Sequence, residues 1–270
     1  MEVLEICFNP KRHKEVLFES FVFKPKNIYE EKLGSLVLTQ CLKIFSEKEI
    51  EILPKLADLA KKTFFQKTSF GQLKSFKECL KKINEFLHKE IKEGKNILGN
   101  LSVAIFSVKN QNLFFSKFGE IEIFLQRENK IFDIGKQKEK KQKIFNFFSQ
   151  IFSGKIKNGD CLLILSTEVA DFFKKEKIIS QIEKIQPLTE KELKKIFSLK
   201  KEKLKDLRGG FLLIKFEKEK KAPKKFQSQN YSFSFAEIDQ FFILEKIKQY
   251  KILLLFLIFC VVTILCFFLF

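Results

Sequence analysis

The chain of 270 residues has no tryptophan, one methionine and only two histidines, His13 and His88. A site built on several histidines is therefore excluded, and no H-E-x-x-H occurs. Arginine is nearly absent as well: of 51 basic residues only Arg12, Arg127 and Arg208 carry a guanidinium. Recognition of base edges and phosphates leans on arginine's flat bidentate fork, so the net charge of +18 does not read as a nucleic-acid interface. Lysine spread over helix faces is a solvated surface, and near an anionic bilayer it adds attraction. The six cysteines, Cys7, Cys41, Cys79, Cys161, Cys260 and Cys266, include no C-x-x-C pair. That excludes a zinc site and a disulfide framework, and the thiols read as buried in a reducing compartment. There is no G-x-S-x-G, no P-loop and no dinucleotide fingerprint.

What is present is first a long apolar run. Residues 252–270, from Ile252 to Phe270, carry no charge and one hydroxyl, Thr263, behind a basic collar of Lys246, Lys248 and Lys251. A helix of this length spans roughly 28 Å, close to the ~30 Å hydrocarbon core of a bilayer. The run is expected to be a single transmembrane anchor, with the collar holding the preceding domain on the cytoplasmic side. Residues 1–8 are a mixed segment with two glutamates, unlike a secretory leader. The chain accordingly divides into a globular domain over 1–217, a basic linker over 218–234, an amphipathic juxtamembrane helix over 235–250 and the anchor over 251–270.

Within the domain, residues 3–8 and 16–23 are β-rich runs separated by the turn Asn9-Pro10-Lys11-Arg12-His13, and 35–39 is a third. Residues 49–65 place Ile50, Leu53, Leu56, Leu59 and Ala60 at helical spacing. A second helix is expected from Ser69, with Gln72 as its capping-box partner, and Leu73, Phe76, Leu80, Ile83, Phe86, Leu87 and Ile91 as its apolar face. Short connections between 101–108, 112–118, 121–127 and 131–134 predict an antiparallel meander, and 136–143 is a charged loop. A fully apolar strand at 161–165 precedes helical stretches at 168–185 and 189–204, the second capped by Thr189 with Glu192. A last strand occupies 211–216. Strands with helices grouped between them give an α+β class, two sheets inside and helices outside.

The order and spacing of five segments resemble the PPM (type 2C) metal-dependent protein phosphatases. Leu36-Val37-Leu38-Thr39-Gln40-Cys41 sits where that family has a strand ending in Asp-Gly. Gly99-Asn100-Leu101-Ser102 resembles its Gly-Thr-Thr lead into a strand, and Phe118-Gly119-Glu120-Ile121 its Gly-Asp-Ser hairpin. Gly159-Asp160, the apolar run after it and Ser166-Thr167-Glu168 are similar to Gly-Asp, a hydrophobic run and Ser-Asp-Gly. Arg208-Gly209-Gly210 takes the place of Asp-Asn. The likeness covers about residues 33–216 and implies an α-β-β-α sandwich.

In that family, aspartates hold two divalent ions that activate a water against phosphate. Hard cations such as Mg²⁺ or Mn²⁺ need anionic oxygens, yet the matching positions here are Gln40, Thr167 and Arg208. Glu120 replaces a hairpin position that is not a ligand, Glu168 is one place from the ligand slot and Asp206 two places away. The resemblance implies a vestigial site at Gln40, Cys41, Gly119, Glu120, Ser166, Thr167, Glu168, Arg208 and Gly209, with no catalytic residue and no metal or other cofactor. The expected role is a membrane-held binding or scaffold module whose partners are the bilayer and another protein, a phosphorylated one among the candidates, and not nucleic acid. The alternative is an active protein serine/threonine phosphatase with an atypical Mg²⁺ or Mn²⁺ site.

Overall fold

Apolar residues in the strand β3 (Ser35–Lys43) go to two destinations. Leu36, Leu38 and Leu42 pack with Leu53, Leu56 and Phe64 of one helix and Phe76, Leu80, Ile83 and Leu87 of the next. Val37 and Cys41 point the other way, into a layer with Ile123, Leu162, Ile164, Leu212 and Ile214. Period-two alternation thus builds two cores from one strand. The computed structural model describes residues 1–8, 15–43, 47–136 and 147–217. The expected turn at 9–13, most of the charged loop at 136–143, the linker, the juxtamembrane helix and the anchor with Lys246, Lys248 and Lys251 lie outside the described residues. Among the described residues no helix is long and apolar enough to cross a membrane.

Before β3 come β1 (Glu2–Phe8), β2 (Val16–Phe23) and a short helix α1 (Ile28–Glu31). After it come α2 (Glu47–Ile50), α3 (Ile52–Gln66) and α4 (Gln72–Lys92), so the helix expected over 49–65 is broken at Glu51. Strands β4 (Leu101–Lys109), β5 (Asn112–Phe118), β6 (Ile121–Arg127), β7 (Lys130–Asp133), β8 (Phe152–Lys155) and β9 (Cys161–Ser166) follow. Helices α5 (Thr167–Lys175), α6 (Ile178–Glu183), α7 (Glu190–Leu199) and α8 (Lys201–Leu204) precede β10 (Gly209–Lys215). One antiparallel sheet has the order β1-β10-β9-β6-β7 and the other β2-β3-β4-β5-β8. Helices α3 and α4 cover the second sheet. On the outer side of the first, Phe8 and Phe211 meet Phe173 of α5 at ring-centroid distances of 6.0 and 5.8 Å, and Phe197 of α7 lies 5.6 Å from Phe8. The layer order is helix, sheet, sheet, helix, as expected.

Besides the break at Glu51, further expectations differ from the structure, among them the stretch 189–204, which parts into α7 and α8 at Lys200. The single meander over 101–134 is two hairpins in different sheets, because the chain changes sheet between β5 and β6 at Gly119-Glu120. Helix α4 starts at Gln72 with Gly71 as an N-cap that supplies no side-chain bond, so Ser69 does not cap it. Its buried face includes Gln72 and Ser75, while Leu73 is 38% exposed. The stretch 168–185 is two helices, broken where Lys177 adopts a left-handed φ of 58°. Thr189 does cap α7, accepting from the Glu192 N–H at 3.3 Å. Helix α1 and strand β8 had no recognisable pattern.

Opposite ends of the sandwich are fixed differently. At the end away from the β5–β6 corner, Arg127 of β6 donates to both oxygens of Asp160, through Nε at 3.0 and 3.3 Å and through Nη2 at 2.6 Å. The same carboxylate accepts from the Lys157 backbone N–H at 2.6 Å, and Arg127 also reaches the Lys155 carbonyl at 2.8 Å. Asp160 is 2% exposed. The Gly-Asp dipeptide before β9 is therefore a staple between the sheets' connecting loops. Removing one partner of a buried pair leaves the other's charge unmatched. Asp160→Asn is expected to cost about 3 kcal/mol in urea unfolding, the low end for such pairs because Arg127 is partly solvated; a loss below ~1 kcal/mol would contradict this role.

Candidate functional site

The antiparallel registers bring the ends of several strands together. Val16 pairs with Lys43, Cys41 with Ser102, Val103 with Phe118, Ile121 with Ser166, and Phe8 with Gly209. The starts of β2, β4, β6 and β10 and the ends of β3, β5 and β9 thus share one end of the sandwich. The vestigial-site positions named from the sequence, from Gln40 and Cys41 to Arg208 and Gly209, sit there.

Glycine makes the close approaches possible. At Gly119 (φ +75°) a Cβ would stand 2.6 Å from Ser102 Oγ and 2.8 Å from the Leu101 carbonyl oxygen. The next residue, Glu120, donates its N–H to Ser102 Oγ at 2.9 Å, and its carbonyl accepts from Thr167 Oγ1. At Gly209 (φ +100°) a Cβ would lie 2.2 Å from Ser166 Oγ, and that oxygen accepts from the Gly210 N–H at 3.1 Å. Gly210 itself lies under the Phe18 ring, where a Cβ would come within 2.1 Å. Ser102 and Ser166 therefore tie the β5–β6 corner and the β10 start into one unit.

The charged members surround Arg208. Its Nε donates to Glu168 Oε1 at 3.1 Å and its Nη1 to Glu15 Oε1 at 3.3 Å. The Glu168 bond, and then Glu15, push the guanidinium pKa above its ordinary value. All three side chains are exposed by more than a third, so the triad holds geometry more than it adds stability. Glu15 carried no signal in the sequence, being a lone acid ahead of a strand. Cys41 lies between the sheets, and burial pushes its thiol up to about 11, with Lys43 opposing and Glu168 adding to the shift. Gln40 is placed differently. Its side chain turns to the helix layer, where Nε2 donates to the Leu53 carbonyl at 3.1 Å and Oε1 has no partner. The period-two rule explains this: Gln40 shares its face with Leu38 and Leu42, so Thr39 and Cys41 are the β3 residues that look between the sheets.

A pair of divalent cations requires several carboxylates converging on one volume. Here Glu15 and Glu168 are bridged by a cation that is part of the protein, Thr167 is committed to a backbone carbonyl and Gln40 faces elsewhere. Among the described residues no group of three or more His, Cys, Asp or Glu could hold a metal ion. The residues at this end do not fit the two-metal centre that the resemblance implies.

No family model and no curated protein matches the sequence. Solved structures do match the fold. A bacterial serine phosphatase superposes with a TM-score of 0.54 at 13% identity, over 82% of this chain and 99% of its own. A serine/threonine phosphatase from S. agalactiae gives 0.53 at 11%, over 80% and 98%. The Mycobacterium tuberculosis serine/threonine phosphatase PstP/Ppp gives 0.51 at 12%, over 75% and 99%. At these identities the likeness is one of fold. The two-sheet α+β sandwich is the PPM, or PP2C-type, phosphatase fold, and the chain spans nearly the whole of these domains.

The thiols give a test of the site's packing. Burial raises Cys41 and Cys161 to about 11 and Cys79 to about 12, and it raises Cys7 also. Alkylation by iodoacetamide at pH 8 should be slow at all four in the folded protein and fast in urea, read by peptide mass spectrometry. Because the folded thiols hold their protons while unfolded ones release them near 9, stability is fully present below about pH 9 and declines toward about 11. Cys41→Ala should flatten that decline; an unchanged slope would place the thiol in water.

Proposed function

We propose that the chain is a membrane-tethered binding module, built on the PPM fold, that does not hydrolyse phosphate. The observation that carries this reading is Arg208 in ion pairs with Glu168 and Glu15, at the end of the sandwich where the fold's metal ligands belong. A fixed cation there repels divalent ions and occupies the acids that could attract them. Thr167 and Gln40 support the same reading, because each has been turned to a structural bond. The module's partners are a lipid bilayer, reached through residues 252–270, and a second protein. The collar of Lys246, Lys248 and Lys251 favours a cytoplasmic domain.

Two experiments test this. The purified chain incubated with Mn²⁺ and p-nitrophenyl phosphate is expected to show turnover no faster than buffer. EDTA-sensitive turnover would establish the alternative, an active serine/threonine phosphatase whose ions are held by an atypical set such as Glu15, Glu120 and Glu168. Deleting residues 252–270 is expected to move the protein from the membrane fraction to the soluble one. A fragment that stays tightly membrane-bound would transfer the membrane contact to the lysine-rich surface instead.

A further inference from the structure

At the end of the second sheet remote from Arg208, the start of α4 and the β4–β5 hairpin enclose a groove of about 560 Å³. That is within the size of ligand clefts, roughly 300–1,000 Å³. Its walls are mainly apolar, with Phe114 on the sheet side and the exposed Leu73 on the helix side. Its charged lining is of one sign: Lys74, Lys77 and Lys109, with no acid among the lining residues.

These lysines have little opposite charge set against them. Lys74 lies in the first turn of α4, at the positive end of the helix dipole, and that turn contains no acid to offset it. Lys74 and Lys77 are three residues apart on one face, a repulsive spacing. Neither they nor Lys109 forms an ion pair among the described residues, although elsewhere α4 pairs Lys82 with Glu85 at 2.7 Å and Lys89 with Glu93 at 3.7 Å. Lys74 rests instead over the Phe70 ring, 3.9 Å from its centroid, with Lys67 at 5.3 Å. Gly71 adds no side-chain cap, so the first N–H groups of a 21-residue helix also open here. Within the fold, the Phe70 ring meets Lys74 and Glu78 stands four residues on from it in α4, so the potential there is offset in part, while Lys77 and Lys109 face the groove without an ion pair among the described residues.

Gln72 also lines the groove; it is 7% exposed, and its amide nitrogen donates to Ser107 Oγ at 3.1 Å.

We propose that this groove binds a short acidic peptide segment of a partner protein. Carboxylates of the segment meet Lys74, Lys77 and Lys109, and an apolar side chain packs on Phe114. A lone small anion would leave the apolar wall unmatched, and a flat bilayer cannot enter the concavity. The proposal is independent of the reading of the Arg208 end and would hold for an active or an inactive phosphatase.

The test is fluorescence anisotropy with the full chain in neutral detergent and a labelled octapeptide of Asp and Glu carrying a central Leu. Saturable binding is expected, weakened by salt. The double variant Lys74→Glu/Lys109→Glu should bind at least roughly tenfold more weakly. The control Lys48→Glu/Lys184→Glu, with the same change of net charge at exposed positions, should stay within about twofold. Phe114→Ala and replacement of the peptide's Leu by Gly should each weaken binding, and Lys74→Gln/Lys109→Gln provides a milder pair if charge reversal disturbs folding. Equal loss in both double variants, or no saturation, would overturn the proposal. So would displacement of the peptide by short-chain phosphatidylserine micelles but not by phosphatidylcholine ones, since that would assign the groove to lipid.

Discussion

Every residue of β9 is buried, as is all of β10 except Lys215, and β3 is closed to solvent between Leu36 and Leu42. These strands are enclosed on both faces, one by the opposite sheet and one by helices. At roughly 25 cal/mol per Å² of apolar surface, such two-sided burial is the dominant favourable contribution to the fold. It also fixes where chemistry can occur. A polar side chain in mid-strand has no water to fall back on: Gln40 bonds the Leu53 carbonyl through Nε2, while its Oε1 and the Thr39 hydroxyl have no partner among the described residues. Polar clusters open to ligands are confined to the strand ends, and both clusters described above lie there.

This constraint explains what was legible in the sequence. The unbroken apolar run 161–165 announced a strand because burial leaves no freedom there, and the short connections through 101–127 announced antiparallel neighbours. Thr189 announced a helix start because its hydroxyl satisfies an otherwise unmatched N–H. The motif segments were found from their glycines and from their order; the structure gathers Gly119, Ser166 and Gly209 at one end and sets Gly159-Asp160 at the other. Other features were invisible for definite reasons. The change of sheet at Gly119 looks in sequence like any tight turn, since only its contact with Ser102 and Leu101 shows that β5 and β6 part company. The direction of Gln40 depended on which face of β3 meets the helices, a matter of tertiary placement. Glu15 joins Arg208 across 193 positions of chain, which no local pattern reports.

The two ends of the sandwich use positive charge in opposite ways. Arg208 is bound to two acids and its charge is spent within the protein. Lys74, Lys77 and Lys109 line an apolar groove without ion pairs among the described residues. The first arrangement is closed and the second is directed outward, although both are made of exposed or half-exposed cations. Net charge alone would not have distinguished them.

The Arg208 triad also makes its neighbours interdependent. With Asp in place of Arg208, Glu15 and Glu168 would lose two attractions and face a third acid, while Thr167 and Gln40 would still supply no ligand. Each single step toward a metal-binding arrangement meets repulsion before it meets a cation. The effects of these positions are coupled, so a metal-binding arrangement at this end requires several of them to change together. The guanidinium is the keystone of that local charge pattern.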